Sequence, residues 1–446
     1  MTTTAPAHRL SRNARYITWL VSDTAKGLAS ALVGFAIPLI ALFVTDDPAQ
    51  AGIIGAVGMT VRTVTTIYGG VLADRHRRIR MMVTGSLLGG ILALAFTALA
   101  LADALTFATL LVIEVLLAAR TGLFDVAGES ALKEIVPADA MGRAQAANQG
   151  RDALLQLAGG PLGGLLLAAG AWVVGAVMVV CQSIAGLTAW MLGRRDQDRA
   201  SDRLGASDAG EGRHAETGPK SGTAEAGGPA RAKPSALREA REGFTWLFRR
   251  PDLRGVLFVA TVINLGFSAA LTTVTYALQQ AGHSTVTIGL LGTAAGAGML
   301  VGALLAPALV TRVPSGLIVT GGLAVATVAV STLIVVHDPL AIAAVMVVTV
   351  FFIPAVNAAL GGYAMVATPT ELLGRVNSAS MVLGLGAVPF APLIAGFGLA
   401  AVGRGWTLVI AAALCAVAVL LAVTNRGLRA LPVESGWTTH AAQFVR

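Results

Sequence analysis

The sequence predicts an all-α polytopic membrane protein with twelve transmembrane helices in two pseudo-symmetric six-helix bundles. Three observations carry this. The chain is 55% hydrophobic and only 13% charged over 446 residues, with a mean hydropathy of +0.74. Apolar runs of about 20 residues, enough to cross a bilayer as a helix, recur along nearly all of it. The basic residues gather in alternate loops, and the two halves carry a repeated segment.

The apolar runs lie at 16–44, 51–73, 81–102, 105–124, 145–168, 171–193, 256–279, 286–311, 316–336, 340–366, 377–401 and 405–424. Arg9, Arg12 and Arg15 precede the first run, as in a signal peptide. The run is too long for one, contains Asp23 and Lys26, and leads into eleven more, so it is read as span 1.

Orientation follows from the loops, because basic residues stay on the cytoplasmic side. With the N-terminus inside, the inner loops hold Arg75, Arg77, Arg78 and Arg80, then Lys133, Arg143 and Arg151, the basic segment 194–254, Arg312 and Arg375. The outer loops hold Arg404 as their one basic residue and the acids Asp46, Asp47, Asp103 and Asp338. Both termini are expected in the cytoplasm of a bacterial cell whose membrane holds the protein. The formal charge of +8 is then mostly topology, not affinity for nucleic acid.

The chain divides into an N-terminus (1–15), a first bundle (16–193), a linker (194–255), a second bundle (256–424) and a tail (425–446). Within the linker, 194–235 has almost no large apolar residues and is expected to be disordered. Residues 236–253 can form an amphipathic helix that sets Leu237, Phe244, Trp246 and Leu247 against lipid; a plain linker is the alternative. "VPADAMGRAQAAN" (136–148) follows span 4 and "TPTELLGRVNSAS" (368–380) follows span 10. Pro137 and Pro369, Gly142 and Gly374, and Arg143 and Arg375 match at one spacing. Repeated halves around a midplane site are the physical mark of secondary transporters.

Other chemistries find little support. Cys181 and Cys415 lie inside apolar runs and read as buried fillers. The histidines are scattered, so no metal site is expected. No nucleotide-binding or nucleophilic signature appears, so the chain is not expected to be an enzyme. No cofactor is expected; the proton gradient is the expected energy source. The expected partners are the bilayer and a small molecule, with the protein a monomer.

Ionisable side chains inside a membrane cost at least about 2.5 kcal/mol on insertion scales and so mark function. The first half holds Asp23 and Lys26 on span 1, Arg62 on span 2, and Glu114 and Arg120 on span 4. From the helical rise of about 1.5 Å per residue, Asp23, Lys26, Arg62 and Glu114 are expected to share one layer near the midplane. Asp23 or Glu114 is the expected proton carrier; the alternative is a fixed ion-pair network. Arg120 is a further coupling candidate, or an arginine reaching the nearby interface.

"GGVLADRHRRIR" (69–80) closes span 2. Gly70, Asp74, Arg75 and Arg78 resemble the signature loop of the major facilitator superfamily, a Gly, three residues, Asp, Arg and further basic residues. Arg77 stands where that family usually has glycine. The resemblance implies a cytoplasmic latch in which Asp74 faces the N-terminus of span 11 and Arg78 pairs with Asp125. "LAGGPLGGLL" (157–166) in span 5 resembles that superfamily's antiporter motif through Gly160, Pro161, Gly163 and Gly164; the motif accompanies exporters.

The same glycines have a physical reading. Gly159 and Gly163, and Gly160 and Gly164, are four apart and form faces for close helix contact. Gly292 and Gly296 in span 8 form another, and the two spans are expected to pack across the bundles on the outer side. "FDVAGESALKEIVP" (124–137), "AANQGRDALLQLAGGPLGGLL" (146–166) and "EGFTWLFRRPDLR" (242–254) resemble the macrolide-efflux and enterobactin-exporter branch. Ala29 and Ser30 stand where that branch often has Gly-Asp. The resemblance implies proton-coupled export of a hydrophobic or amphipathic molecule such as an antibiotic. Siderophore or metabolite export, proton-coupled uptake and a non-transporting sensor are the alternatives. Spans 1, 4, 7 and 10 line the cavity in the family; on the second half this nominates Asn264, Phe267, Thr272, Tyr276, Phe352 and Asn357, with ordinary helix–helix packing as the alternative for each.

Overall fold

The computed structural model describes residues 13–137, 140–211, 244–369 and 372–444. Among these no strand occurs. Span 1 is α1 (Ala14–Thr45), span 2 α2 (Pro48–Arg75) and span 3 α3 (Arg78–Leu101). Span 4 is α4 (Phe107–Phe124), prolonged by α5 (Val126–Ile135). Spans 5 and 6 are α6 (Met141–Ala169) and α7 (Ala171–Glu211). A short helix α8 over 244–249 precedes α9 (Pro251–Gln280), α10 (Thr285–Arg312) and α11 (Ser315–Thr332). Span 10 is split into α12 (Pro339–Phe351) and α13 (Ile353–Ala367). Spans 11 and 12 comprise α14 (Leu373–Gly386) and α15 (Ala391–Thr424), before α16 (Arg426–Arg429) and α17 (Trp437–Ala442).

Among the described residues, eleven helices are long and apolar enough to cross a membrane. One of them, Leu383–Thr424, has 42 residues, about 63 Å if straight and twice what a bilayer needs. Gly403 divides it, with φ 75° and ψ 176°, a conformation open to glycine because it lacks Cβ. The chain turns back there, and the spans number twelve. α6 and α14 both begin just after the repeated proline, at the same spacing as the repeat itself.

The bundle has two unlike faces. α1 starts at the basic face, with Asn13 accepting from the backbone N–H groups of Arg15 and Tyr16. The acidic face carries Asp46, Asp47, Asp103 and Asp338. Two of these acids act locally. Asp47 caps α2 and Asp338 caps α12, each ahead of a proline, satisfying orphan backbone donors.

The cores show where the halves meet. At the basic face, one cluster built on Trp19, Met81 and Leu132 draws only on the first half, and one built on Val319, Tyr363 and Trp437 only on the second. At the acidic face the clusters are mixed: Tyr276 and Leu399 join Leu32 and Phe96, and Leu39 joins Ala269 and Ile342. The two bundles are therefore packed together at the acidic end. Apolar side chains such as Ile67, Leu304 and Leu420 point outward, at 64%, 74% and 62% exposure, as lipid-facing residues do.

Two expectations outside the membrane change, and the tail proves to be docked. α7 runs on to Glu211, so 194–211, expected to be disordered, is helical; 212–243 lies outside the described residues, and with it Leu237. Leu247 is buried, and Phe244 and Trp246 pack against the second-half core, so this face meets protein instead of lipid. The tail is no loose end. The N–H groups of Ser315 and Gly316 donate to the carbonyls of Pro432 and Leu431 at 3.1 Å each, which caps α11. The Trp437 ring lies over Gly362, and its Nε1 donates to Ser315 Oγ at 3.0 Å. A Trp in a tail has to bury its ring, and the bare glycine face of α13 provides the seat.

Candidate functional site

α1 and α6 run parallel, and residues four apart on each meet in step. Asp23 meets Arg151, Gly27 meets Leu155, Ala31 meets Gly159 and Phe35 meets Gly163. A spacing of four keeps each set on one face of its helix. The glycines bring the backbones close, and the charged pair sits at the basic end of the same stripe.

Asp23 is buried and holds two cations. Its Oδ1 lies 2.9 Å from Lys26 Nζ and its Oδ2 2.8 Å from Arg151 Nη2. Lys26 reaches on to Asp125, 3.7 Å from its Oδ1, and Arg120 lies 3.6 Å from the same oxygen. Arg120 is only 6% exposed; its Nε donates to the Gly85 carbonyl at 2.8 Å and its Nη2 to Gln182 Oε1 at 3.3 Å. It points into the bundle, not toward the interface. Arg151 also pairs with Asp152 at 2.7 Å. The ring of Trp19 lies under Arg151, and its Nε1 donates to the Gly128 carbonyl of α5 at 2.9 Å. Three acids and three bases close a balanced network that ties α1, α4, α5 and α6 together.

A buried ion pair that loses one partner leaves the other charge uncompensated, which costs roughly 3–5 kcal/mol. Asp23→Asn should accordingly lower the thermal unfolding midpoint of the purified protein, and adding Lys26→Met should recover part of the loss. An unchanged midpoint in the single variant would remove the structural role assigned to Asp23.

Glu114 lies elsewhere. Eleven residues of span 4 separate it from Asp125, about 16 Å along the axis. The expected single layer of Asp23, Lys26, Arg62 and Glu114 is therefore two layers. Asp23 and its partner Arg151 lie beside Trp19 of the basic-face core, nearer that face than Glu114. The Glu114 carboxylate lies against Gly58 of α2, where a Cβ would collide with it. Its Oε2 is buried without a hydrogen-bond partner. Arg62, one turn from Gly58, is the cation whose charge acts on it; no ion pair within 4 Å joins the two.

The latch residues are arranged differently from expectation. Asp125 is held by Lys26 and Arg120, while Arg78 donates to the Ser130 carbonyl at 2.8 Å. The α4–α5 junction carries Asp125 toward α1, out of line with the start of α3. Gly70 has open space around it; its neighbour Gly69 is the contact, against the Gly122 carbonyl of α4. Arg75 is exposed at the end of α2. The side chain of Asp74 lies outside the described residues.

The span 5 glycines serve two partners. Gly159 and Gly163 face α1 within the first half. Gly160 and Gly164 face α10 across the halves, against the carbonyls of Gly289 and Thr285. Thr285 Oγ1 donates to the Gly164 carbonyl at 2.8 Å. Gly292 and Gly296 continue this seam, near Gly160 and against Leu157, but the backbone-on-backbone contact falls one turn earlier, at Gly289. Pro161 lies inside α6, which stays helical throughout.

A second seam joins α2 to α15. Gly52 and Gly55 lie on Pro392, and Gly396 lies on the Pro48 carbonyl. Tyr276 Oη donates to the Ala51 carbonyl at 3.3 Å, and Gln279 Nε2 to the Leu39 carbonyl at 2.6 Å. Tyr276, expected to line a cavity, is instead buried in this acidic-face contact. Asn264 donates to the Gly384 carbonyl of α14 at 3.0 Å, and Phe267 packs in the acidic-face core. Phe352 stands at the break of span 10, stacked edge-on against Phe351. The break follows from Pro354, whose missing N–H leaves the carbonyl of Val350 without its helical donor. Thr272 is half-buried and Asn357 exposed.

Three residues of the network were not expected in it, Arg151, its neighbour Asp152, and Gln182. Arg151 had a legible signal: it stands two turns before Gly159 on the glycine stripe. Gln182 had none, because its partner Arg120 is set by packing alone.

A family model described as "Major Facilitator Superfamily" matches residues 24–388. No curated protein matches the sequence. Among solved structures, the chain is similar to a bacterial homologue of the iron transporter ferroportin in an inward-facing state. The TM-score is 0.68 at 13% identity, over 93% of this chain and 99% of that one. It is also similar to a bacterial homologue of the human lysosomal transporter Spinster, inward-facing and unoccupied, with TM-score 0.59 and 15% identity over 97% and 98%. A bacterial metal transporter matches with TM-score 0.60 and 12% identity over 94% and 99%. At these identities the likeness is one of fold.

Proposed function

The chain belongs to the major facilitator superfamily of membrane transporters, and on that premise we propose that it exports a hydrophobic or amphipathic small molecule in exchange for protons. The protein is a transporter and not an enzyme. Under this reading the basic face is cytoplasmic, following the positive-inside rule, and the two bundles rock about a site between them.

One observation carries the proton part. Of the mid-span acids, Asp23 is fully engaged by Lys26 and Arg151, whereas Glu114 keeps a buried oxygen without a partner. A group that must take and release a proton needs a position with no fixed counter-ion, and Glu114 has it. Asp23, with its paired neighbours, has the surroundings of a structural residue.

The seams support alternating access. Contacts between α6 and α10, and between α2 and α15, rest largely on glycine and proline backbones, small-residue faces on which helices approach closely. The export direction is supported by the glycine–proline motif of span 5.

Inverted membrane vesicles from an expressing strain test the reading. An amphipathic fluorescent dye should accumulate inside when the interior is acid, and a protonophore should collapse the signal. Accumulation only under the opposite gradient would make the protein an uptake system. Equal accumulation without any gradient would end the proton coupling. An antibiotic susceptibility panel on the same strain then narrows the substrate.

A further inference from the structure

Glu114 and Arg62 are the two mid-span charges of the first half that the ion-pair network leaves out. Among the described residues, the Glu114 Oε2 atom has no hydrogen-bond partner, and the Arg62 side chain is exposed and joined to none. Every other cation of the first-half spans is held: Lys26 and Arg151 by Asp23, and Arg120 by Asp125.

The faces of α2 show where Arg62 points. Gly52 and Gly55 pack on α15, and Gly58 and Gly69 on α4. At about 100° per residue, Arg62 falls between these two stripes. Val64 and Ile67, exposed at 48% and 64%, lie on the opposite side, toward lipid. Arg62 is also exposed, so it opens into the gap between α4 of the first half and α15 of the second. This gap lies on the basic side of the Gly55–Pro392 contact.

The two groups have opposite charge and sit about one helical turn apart along α2. Unpaired charges at membrane depth are costly, so a ligand that satisfies both is favoured over one that satisfies either. A simple acid meets Arg62 but leaves Glu114 without a partner. A simple amine meets Glu114 but is repelled by Arg62. Facing them, the second-half spans contain no Asp, Glu, Lys or Arg away from their ends, so they offer an uncharged wall.

We propose that Arg62 and Glu114 form the recognition site for a zwitterionic amphiphile, its carboxylate on the Arg62 guanidinium, its ammonium on the Glu114 carboxylate and its apolar body on the second half. The planar guanidinium fork suits a carboxylate bidentately. The ammonium takes the place of the Glu114 proton, which leaves to solvent, so ligand and proton exclude one another. This rests on the exchange reading above and names its substrate class.

The test is calorimetry on the detergent-purified full chain with three probes of one skeleton: naphthylalanine, naphthylpropionate and naphthylethylamine. Naphthylalanine should bind about ten- to a hundredfold more tightly than either singly charged probe. Titration in two buffers of different ionisation enthalpy should show protons released. Arg62→Gln should reduce naphthylalanine to the affinity of the amine, Arg62→Lys should keep much of it, and Glu114→Gln should bind without proton release. Equal binding of acid and zwitterion, equal binding of amine and zwitterion, or binding by none of the three overturns the proposal. These binding results are independent of vesicle transport: zwitterion binding with no pH-driven transport would sink the exchange reading alone, and pH-driven transport with no zwitterion preference would sink this one alone.

Discussion

Glu114→Gln should abolish proton-driven accumulation in vesicles, down to the level of membranes lacking the protein, while leaving the fold intact. Glutamine has nearly the same shape, so the close contact with Gly58 survives. It cannot ionise, so no proton is exchanged during the cycle. Charge is not lost from the ion-pair network, because Glu114 takes no part in it. The companion variant Asp23→Asn separates coupling from stability. It should lower the amount of folded protein, and the protein that does fold should still respond to pH. Full coupling in Glu114→Gln would show that the proton is carried elsewhere, and pH-insensitive transport in folded Asp23→Asn would return the role to Asp23.

Gly160→Leu should block transport by preventing the acidic face from closing. A Cβ at Gly160 would lie 2.7 Å from the Gly289 carbonyl oxygen, and this oxygen belongs to helix backbone that cannot rotate away. Overpacking of this kind costs about 1–3 kcal/mol, and the cost falls only on the state in which α6 and α10 touch. The variant should therefore favour the state open at the acidic face. A cysteine at Ala51, a position buried beneath Tyr276, reports the shift: a membrane-impermeant thiol reagent should label it faster in Gly160→Leu than in the parent. Unchanged labelling together with normal transport would refute the seam. Gly163→Leu makes the contrast, since its close neighbour is the Phe35 ring, a side chain with room to adjust, and a milder loss is expected.

The particular residues show how far the sequence could be read. The spans, the repeat and the glycine faces were legible because each is a local pattern: a run of apolar residues, a fixed spacing, small residues four apart. The pairing of charges was not. Asp23 and Lys26 are neighbours on one helix, and their contact could be anticipated, but the arrival of Arg151 and Asp125 depends on α5 and α6 folding under α1. Arg78 and Asp125 looked compatible by sign and depth, yet the α4–α5 junction turns Asp125 toward Lys26. Tyr276 is polar and on a span expected to line the cavity, and its place in the acidic-face contact depends on how the bundles lean together. Trp437 and His440 sit in what composition describes as a short basic tail, and their docking on Gly362 and Tyr363 is a matter of two surfaces fitting.

Sequence alone determined the twelve crossings, their expected orientation and the inventory of charges in the first half. Burial in a bilayer forces every backbone polar group to be satisfied within its own helix, so apolar length by itself specifies a crossing. Only the tertiary structure decided which charges are spent on each other and which stay available. Interactions between charges act across helices and fall steeply with distance, and helix rotation and tilt, which no local pattern encodes, set those distances. That division left Glu114 and Arg62 outside the network, and gave Gly159 and Gly160, adjacent in the chain, two different partners.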